Sequence, residues 1–356
     1  MPSKIFKITH SKPFVDSKDI KAVAIQVRSS MHAAGSKTKE FEEKLAKFIG
    51  VKYAKAVNSG TNALHLALLA LNIKEGDEVI LPSYVCASVL SAVHYTRAKP
   101  VFADIDPDFD NKGYNISVKT IKALINNKTK AIIVPHMFGF PCEIDQIIAL
   151  RVHIIEDCAH SIGASYKGKL VGSFGKISIF SFYATKMLST GYGGMISTSN
   201  NEIWKKVEDL TKYDERENYN ISYNYSLGDI QSALGTEQLK KLSIFIDRRI
   251  MIEKKYNDVF KNKLKIPPKA DGSFAFRYVV RFPSQEKRDN AKEKLLQRGI
   301  RTVTPIFKPL HHYFNLSKEK FPNTEEAHNT SLSIPCYPAL TDEEVNYIIK
   351  SVKESI

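Results

Sequence analysis

Short apolar runs alternate with stretches of helical period along the first two thirds of the chain. Residues Asp77-Glu78-Val79-Ile80-Leu81 predict a strand ended by Pro82, and Pro100-Val101-Phe102-Ala103 predicts a second. Two more follow at 131–134, before Pro135, and at 152–155, before Glu156. Helical spacing falls between them, over 118–125 and 144–150. Strands that alternate with helices form right-handed βαβ units and a mostly parallel sheet. Ligands of such sheets lie at the carboxyl ends of the strands. From 229 to about 260, apolar residues including Ile230, Ala233, Leu242, Phe245 and Ile250 predict one long amphipathic helix. The Pro267-Pro268 pair and the Asp271-Gly272 turn then open a smaller region, with a strand at 276–280 and a helix at 286–298. The expected organisation is a large α/β domain over 1–250, carrying an N-terminal arm, and a small C-terminal α+β domain over 251–356.

A length of 356 residues with 43% hydrophobic and 25% charged residues supports a sizeable core without covalent staples. No apolar run approaches the ~18–20 residues of a membrane helix, and the opening MPSKIFKITHSKPF lacks the apolar core of a secretory signal. The four cysteines, Cys86, Cys142, Cys158 and Cys336, form no C-x-x-C pair. A reduced, cytoplasmic setting is expected. The formal charge is +14, but the lysines are spread along the chain and no nucleic-acid motif accompanies them. The charge is read as solvated helix faces with a diffuse pull on anionic ligands. No H-x-x-x-H or H-E-x-x-H pattern occurs, and no metal is expected. His136 and the His311-His312 pair are open to either a pocket or a structural reading.

Chemistry concentrates in the segment IIEDCAHSIGASYKGKLVGSFGKISIFSFYATKMLSTGYGGMISTS, which spans 154–198. Asp157 follows an apolar strand, and a second strand ends at Ser181-Phe182. Lys186 then precedes the glycines Gly191, Gly193 and Gly194. A lysine held between an apolar strand and a glycine-rich turn can lose its proton and attack a carbonyl to form a Schiff base. An aspartate beside it suits a protonated pyridine nitrogen, which makes a cofactor ring an electron sink. Taken singly, a capping Asp and a surface Lys are the simpler readings; together they favour this chemistry. Upstream, Asn58-Ser59-Gly60-Thr61-Asn62 precedes an apolar helical stretch. That arrangement offers either a phosphate cup or an ordinary N-cap.

These residues resemble the DegT/StrS family of sugar aminotransferases, fold-type-I enzymes that depend on pyridoxal 5′-phosphate (PLP). The likeness covers nearly the whole chain and includes, in order, AAGSKTKEFEEKLAKFIGVKYAKAVNSGT, VILPSY, YTRAKPVFADID, VPHMFG, YNYSLGDIQSALGTEQLKKL and LSIPCYPALTDEEVNYII. The resemblance implies that Lys186 carries the cofactor and shuttles protons, and that Asp157 pairs with the pyridinium nitrogen. It implies that His160 lies beside the 3-oxygen and that Gly60, Thr61, Asn62 and Ser181 hold the phosphate. Asn224 would reach the phosphate of a neighbouring subunit's cofactor, making a homodimer with a shared site.

Two positions depart from the family pattern. Cys86 stands at the cofactor-binding position where many relatives stack an aromatic ring on the pyridine, leaving that face to Tyr84, another residue, or smaller side chains. Ser226 replaces an arginine found in many relatives, which shifts phosphate binding toward Asn224 and backbone donors. The implied reaction moves an amino group from an amino acid, L-glutamate first, to a keto-sugar, usually nucleotide-linked, through pyridoxamine phosphate. A PLP-dependent sugar dehydratase is the nearest alternative, but such relatives carry histidine in place of Lys186. A PLP-binding regulatory protein without transaminase activity is the other. Neither nucleic acid nor a membrane is expected as a partner.

Overall fold

The computed structural model describes residues 7–266 and 269–356; the Pro267-Pro268 pair lies outside the described residues. The strands in chain order are β1 (Tyr53–Val57), β2 (Glu78–Pro82), β3 (Lys99–Ala103), β4 (Thr129–Pro135), β5 (His153–Asp157), β6 (Ser165–Tyr166), β7 (Lys169–Leu170), β8 (Ile177–Ser181), β9 (Gly194–Thr198), β10 (Tyr278–Arg281) and β11 (Ser331–Ile334). Seven of them form one sheet in the order β1-β9-β8-β5-β4-β2-β3. β2, β3, β4, β5 and β8 run parallel, and only β9 opposes its neighbours. This is the expected α/β class, a mostly parallel mixed sheet flanked by helices.

Central strands covered on both faces need apolar residues at every position. β2 is buried throughout, with Val79, Ile80 and Leu81 fully inaccessible. The helix Gly60–Ala70 is likewise apolar nearly all round because it lies between the sheet and the helices Ala87–Tyr95 and Asn201–Thr211. The helix Ser36–Ile49 instead buries one stripe, Phe41, Leu45, Ala46 and Ile49, and ends at Gly50 with a left-handed φ of 83°.

The expected helix over 229–260 is two helices, Asp229–Lys240 and Leu242–Phe260. Lys241 interrupts them with φ −100° and ψ 0°. Gln238 Nε2 donates to Asp19 Oδ2 at 3.0 Å and Lys241 Nζ pairs with Asp16 and Asp19, so the break is pinned to the helix Ser17–Arg28. Such a tertiary contact leaves no trace in apolar periodicity.

The buried face of Leu242–Phe260 changes partners along its length. Leu242 and Phe245 join the core under the large sheet. Ile252, Tyr256 and Phe260 join a second core with Tyr278, Val280, Leu332 and Ile348. That core lies over the antiparallel pair β10–β11 and the helices Gln285–Gln297 and Asp342–Lys353. Ile8 enters it from the N-terminal segment, bridging in parallel to Ile300. Among the described residues, no helix is long and apolar enough to cross a membrane.

Candidate active site

The carboxyl edge of the sheet gathers the expected residues. β1 ends at Val57, and Asn58 N–H donates to Tyr225 O at 2.8 Å. Ser59 then caps the helix Gly60–Ala70, its Oγ accepting from Asn62 N–H at 3.1 Å. The amide of Asn62 is also engaged, donating to Asn58 Oδ1 at 2.6 Å. The N–H groups of Gly60 and Thr61 are left at the positive end of the helix. Ser181, the last residue of β8, faces them: a Cβ on Gly60 would stand 2.8 Å from Ser181 Cβ. Gly194 pairs with Val57 on one side and Ser181 on the other. A Cβ there would lie 2.5 Å from both C and O of Ser59. Two close glycine approaches thus shape a cradle of backbone donors and hydroxyls, a donor set that fits a phosphate dianion.

Lys186 follows Ser181 on a loop closed by Phe182 N–H to Gly193 O (2.8 Å) and Thr190 N–H to Phe182 O (3.0 Å). Its Nζ lies 5.6 Å from the centroid of Phe276. Burial and then the Arg277 guanidinium lower the amine from 10.5 to about 8, against the opposing pull of Asp157 and Cys86. Asp157 closes β5. Burial pushes its carboxyl above the usual range, although Ala159 N–H donates to Oδ1 at 3.0 Å and Lys186 stands near. A carboxylate so poorly solvated gains most from a cationic N–H donor, as a pyridinium would provide. His160 is stacked between Phe138 (5.7 Å, 17°) and Phe276 (4.7 Å, 23°). Burial holds it well below the ordinary histidine value, so it is neutral at pH 7. The chemistry of this donor set, a reactive amine, a buried carboxylate and a neutral imidazole beside a phosphate cradle, fits PLP.

Behind these residues lies a support that sequence reasoning missed. Glu156 is fully buried and accepts from Gly172 N–H and Phe174 N–H, each at 2.8 Å, and from Gly175 N–H. His136 Nε2 lies 3.3 Å from its other side, while Cys142 N–H donates to His136 Nδ1 at 3.0 Å. His136 is therefore structural and inaccessible. Arg277 was also missed. It donates to Pro305 O at 2.7 Å, and among the described residues no carboxylate pairs with it. Its neighbours in the strand-like FAFRYVV segment gave no hint that it bears on Lys186, which sits in another part of the chain.

The remaining expected residues are placed as follows. Cys86 is exposed and caps the helix Ala87–Tyr95, within electrostatic reach of Lys186. Tyr84 corrects an expectation: it is fully buried and stacked on Tyr114 (5.5 Å, 22°), so it does not cover a ring in the site. Asn224 is exposed, on a segment whose Ser226 bridges Val57 and whose Tyr223 and Tyr225 pack on His65.

Fold and site together define a PLP-dependent aminotransferase. Residues 13–353 match the DegT/DnrJ/EryC1/StrS aminotransferase family, and the chain belongs to it. It is 36% identical to the GDP-perosamine synthase of Escherichia coli O157:H7, over 90% of each chain. Among solved structures, Helicobacter pylori PseC, an aminotransferase of pseudoaminic acid biosynthesis, superposes with a TM-score of 0.91 at 29% identity, covering 99% of both chains. The PLP form of the Streptococcus pneumoniae protein Spr1654 superposes with a TM-score of 0.90 at 26% identity, covering 97% of both chains.

Proposed function

We propose that this enzyme transfers an amino group from L-glutamate to a nucleotide-linked keto-sugar, for amino-sugar or glycan biosynthesis. The observation that carries the reading is the grouping of Lys186 and His160 on Phe276 with Asp157 at the end of β5, on the same sheet edge as the close Gly60–Ser181 approach. Several relatives have sugar-modifying names, GDP-perosamine synthase and a UDP-amino-sugar transaminase among them, and these support the acceptor class.

PLP supplies, when bound, an electron sink for the carbon that bears the amine. The protein's own residues do the rest. Gly60 and Thr61 N–H with Ser181 Oγ hold the phosphate, and Asn224 adds a donor from a second subunit. Asp157 holds its charge against the ring nitrogen, and His160 lies beside the 3-oxygen. Lys186 Nζ would hold the cofactor, and its free amine would take a proton from the carbon that bears the amino group and return one, as general base and then general acid. An amine near 8 serves both roles, since both protonation states are populated close to neutrality. Arg277 lacks a carboxylate partner and lies close enough to depress Lys186, which suits it to receive the carboxylate of the donor beside the reacting carbon. The assembly is a homodimer with a shared site in the cytoplasm.

The reading is tested by a two-step mixing experiment. L-glutamate should bleach the yellow protein–PLP band, and a nucleotide-linked keto-sugar added next should restore it with release of the amino-sugar. A band that bleaches but is restored by no keto-sugar refutes the acceptor class, and a band indifferent to glutamate refutes the donor.

A further inference from the structure

Beside Ser83, at the carboxyl end of β2, the short helix Leu310–Phe314 and the helix Pro322–Thr330 bring three imidazoles and a carboxylate together. The ligand atoms of His311, His312 and Glu325 all lie within 4.8 Å of one another. His311 Nε2 is 3.2 Å from Glu325 Oε1, and His312 Nε2 contacts the same oxygen. His328 stands behind, its ring 5.9 Å from that of His312. Lys318 Nζ is 3.4 Å from the other carboxylate oxygen, Oε2.

Two features set this group apart from an ordinary histidine–glutamate contact. His311 is completely buried, stacked on Phe321 at 4.2 Å, yet its Nε2 has no hydrogen-bond partner. The 3.2 Å approach to Glu325 therefore lacks hydrogen-bond geometry. His328 Nδ1 is likewise buried and without a partner. An orphaned nitrogen on a fully buried imidazole, 3.2 Å from a carboxylate, is costly to leave unsatisfied. The other nitrogen of His311 is already oriented: Nδ1 lies 2.7 Å from Ser83 Oγ, which also accepts from the His311 N–H at 3.1 Å. A metal-ligating histidine uses its second nitrogen in this way, fixing the ring and the tautomer.

We propose that His311, His312 and Glu325, none of which is assigned to the cofactor, form a binding site for a divalent transition-metal ion, zinc by the chemistry of its donors. Imidazole nitrogen and carboxylate oxygen are borderline ligands that bind Zn2+ at about 2.0–2.2 Å, which sets tetrahedral neighbours roughly 3.3–3.5 Å apart. The His311–Glu325 separation of 3.2 Å falls just short of that spacing. His312 must draw back slightly from Glu325, and its partial exposure, 17% for the side chain, leaves room to do so. The fourth position falls to water or, after a rotation of its ring, to His328. Lys318 on Oε2 leaves Oε1 for the metal. The ion would tie the helix Pro322–Thr330 to the 310–314 segment, which Leu310 N–H to Ser83 O at 2.9 Å already holds to the end of β2.

The test uses the metal-stripped, tag-free, PLP-loaded enzyme in equilibrium dialysis against Zn2+. About one equivalent should bind, and Co2+ in its place should give the intense visible absorption of a tetrahedral nitrogen and oxygen site. His312→Ala, on a partly exposed side chain, should keep the melting temperature of the stripped protein and weaken Zn2+ binding about tenfold or more; Glu325→Gln should weaken it similarly. Absence of saturable binding at millimolar Zn2+ would overturn the proposal. So would undiminished binding in both variants, since the ion would then sit elsewhere.

Discussion

Gly194→Ala tests the architecture of the phosphate cradle at its tightest point. The new Cβ would lie 2.5 Å from C and O of Ser59 and 2.6 Å from Gly60 N, all backbone atoms that no rotamer change can move. Non-bonded carbons settle at about 3.5–4.0 Å, so β9 and the Ser59–Gly60 turn must part by about 1 Å. Overpacking of this kind costs ~1–3 kcal/mol of stability. The same displacement carries the Gly60 and Thr61 N–H groups away from the phosphate position. Hydrogen bonds to a charged group contribute about 1.5–3 kcal/mol, so losing one weakens PLP binding at least about tenfold. The assay pairs thermal melts of the cofactor-free protein with an absorbance titration by PLP. Gly50→Ala is the control: its φ is positive, +83°, which strains the added Cβ, but no atom lies within 4 Å of it. It should cost ~1–2 kcal/mol of stability and leave PLP affinity unchanged. Unchanged PLP affinity in Gly194→Ala, or an equal loss in Gly50→Ala, would refute the reasoning.

Further expectations concern the charges around the site. The change in Lys186 from 10.5 to about 8 raises its neutral fraction at pH 7 by roughly 300-fold. The rate at which cofactor-free protein takes up PLP should therefore climb with pH through about 8, and Arg277→Met, by removing a lowering charge, should move that midpoint upward; a fixed midpoint contradicts the assignment. Asp157→Asn should bind PLP more weakly and slow the glutamate half-reaction by orders of magnitude in stopped-flow absorbance, and a wild-type rate would remove Asp157 from the mechanism. For Glu156, burial pushes the carboxyl up, but His136 and the Gly175 and Gly172 N–H groups outweigh it and hold it below its ordinary 4.5. Its stabilising contribution is present above that value and lost as pH falls through the lowered one. Glu156→Gln should flatten the acid limb of the melting curve against pH and cost about 1.5–3 kcal/mol near neutrality; an unchanged acid limb counts against this role.

The parts of the molecule legible in the sequence are those governed by local pattern. β2, β4 and β5 lie within a residue or two of their apolar runs because strands buried on both faces must be apolar throughout. Asp157 and Lys186 drew notice in the sequence because Asp157 ends one apolar strand and Lys186 lies on the loop after another, at the edge where parallel sheets place their ligands. The rest depends on contacts between distant segments. The break at Lys241 arises from aspartates more than two hundred residues earlier, at 16 and 19. Tyr84 disappears into the core because Tyr114 stacks on it. Arg277 reaches Lys186 only after the small C-terminal core docks. His311, His312 and Glu325 lack a metal-binding sequence pattern because two ligands are adjacent and the third lies on another helix. Alternation and turn chemistry carry no information about such meetings.

The central claim is that Lys186 is the residue that carries the cofactor. Borohydride reduction of the PLP-loaded enzyme, followed by proteolysis and mass mapping, tests it directly, since reduction makes a lysine–cofactor bond permanent. The account predicts one pyridoxyl group per chain, on the peptide that contains Lys186, and none there when glutamate is added before reduction. A label on any other lysine, or no label on a protein that binds PLP, would contradict it.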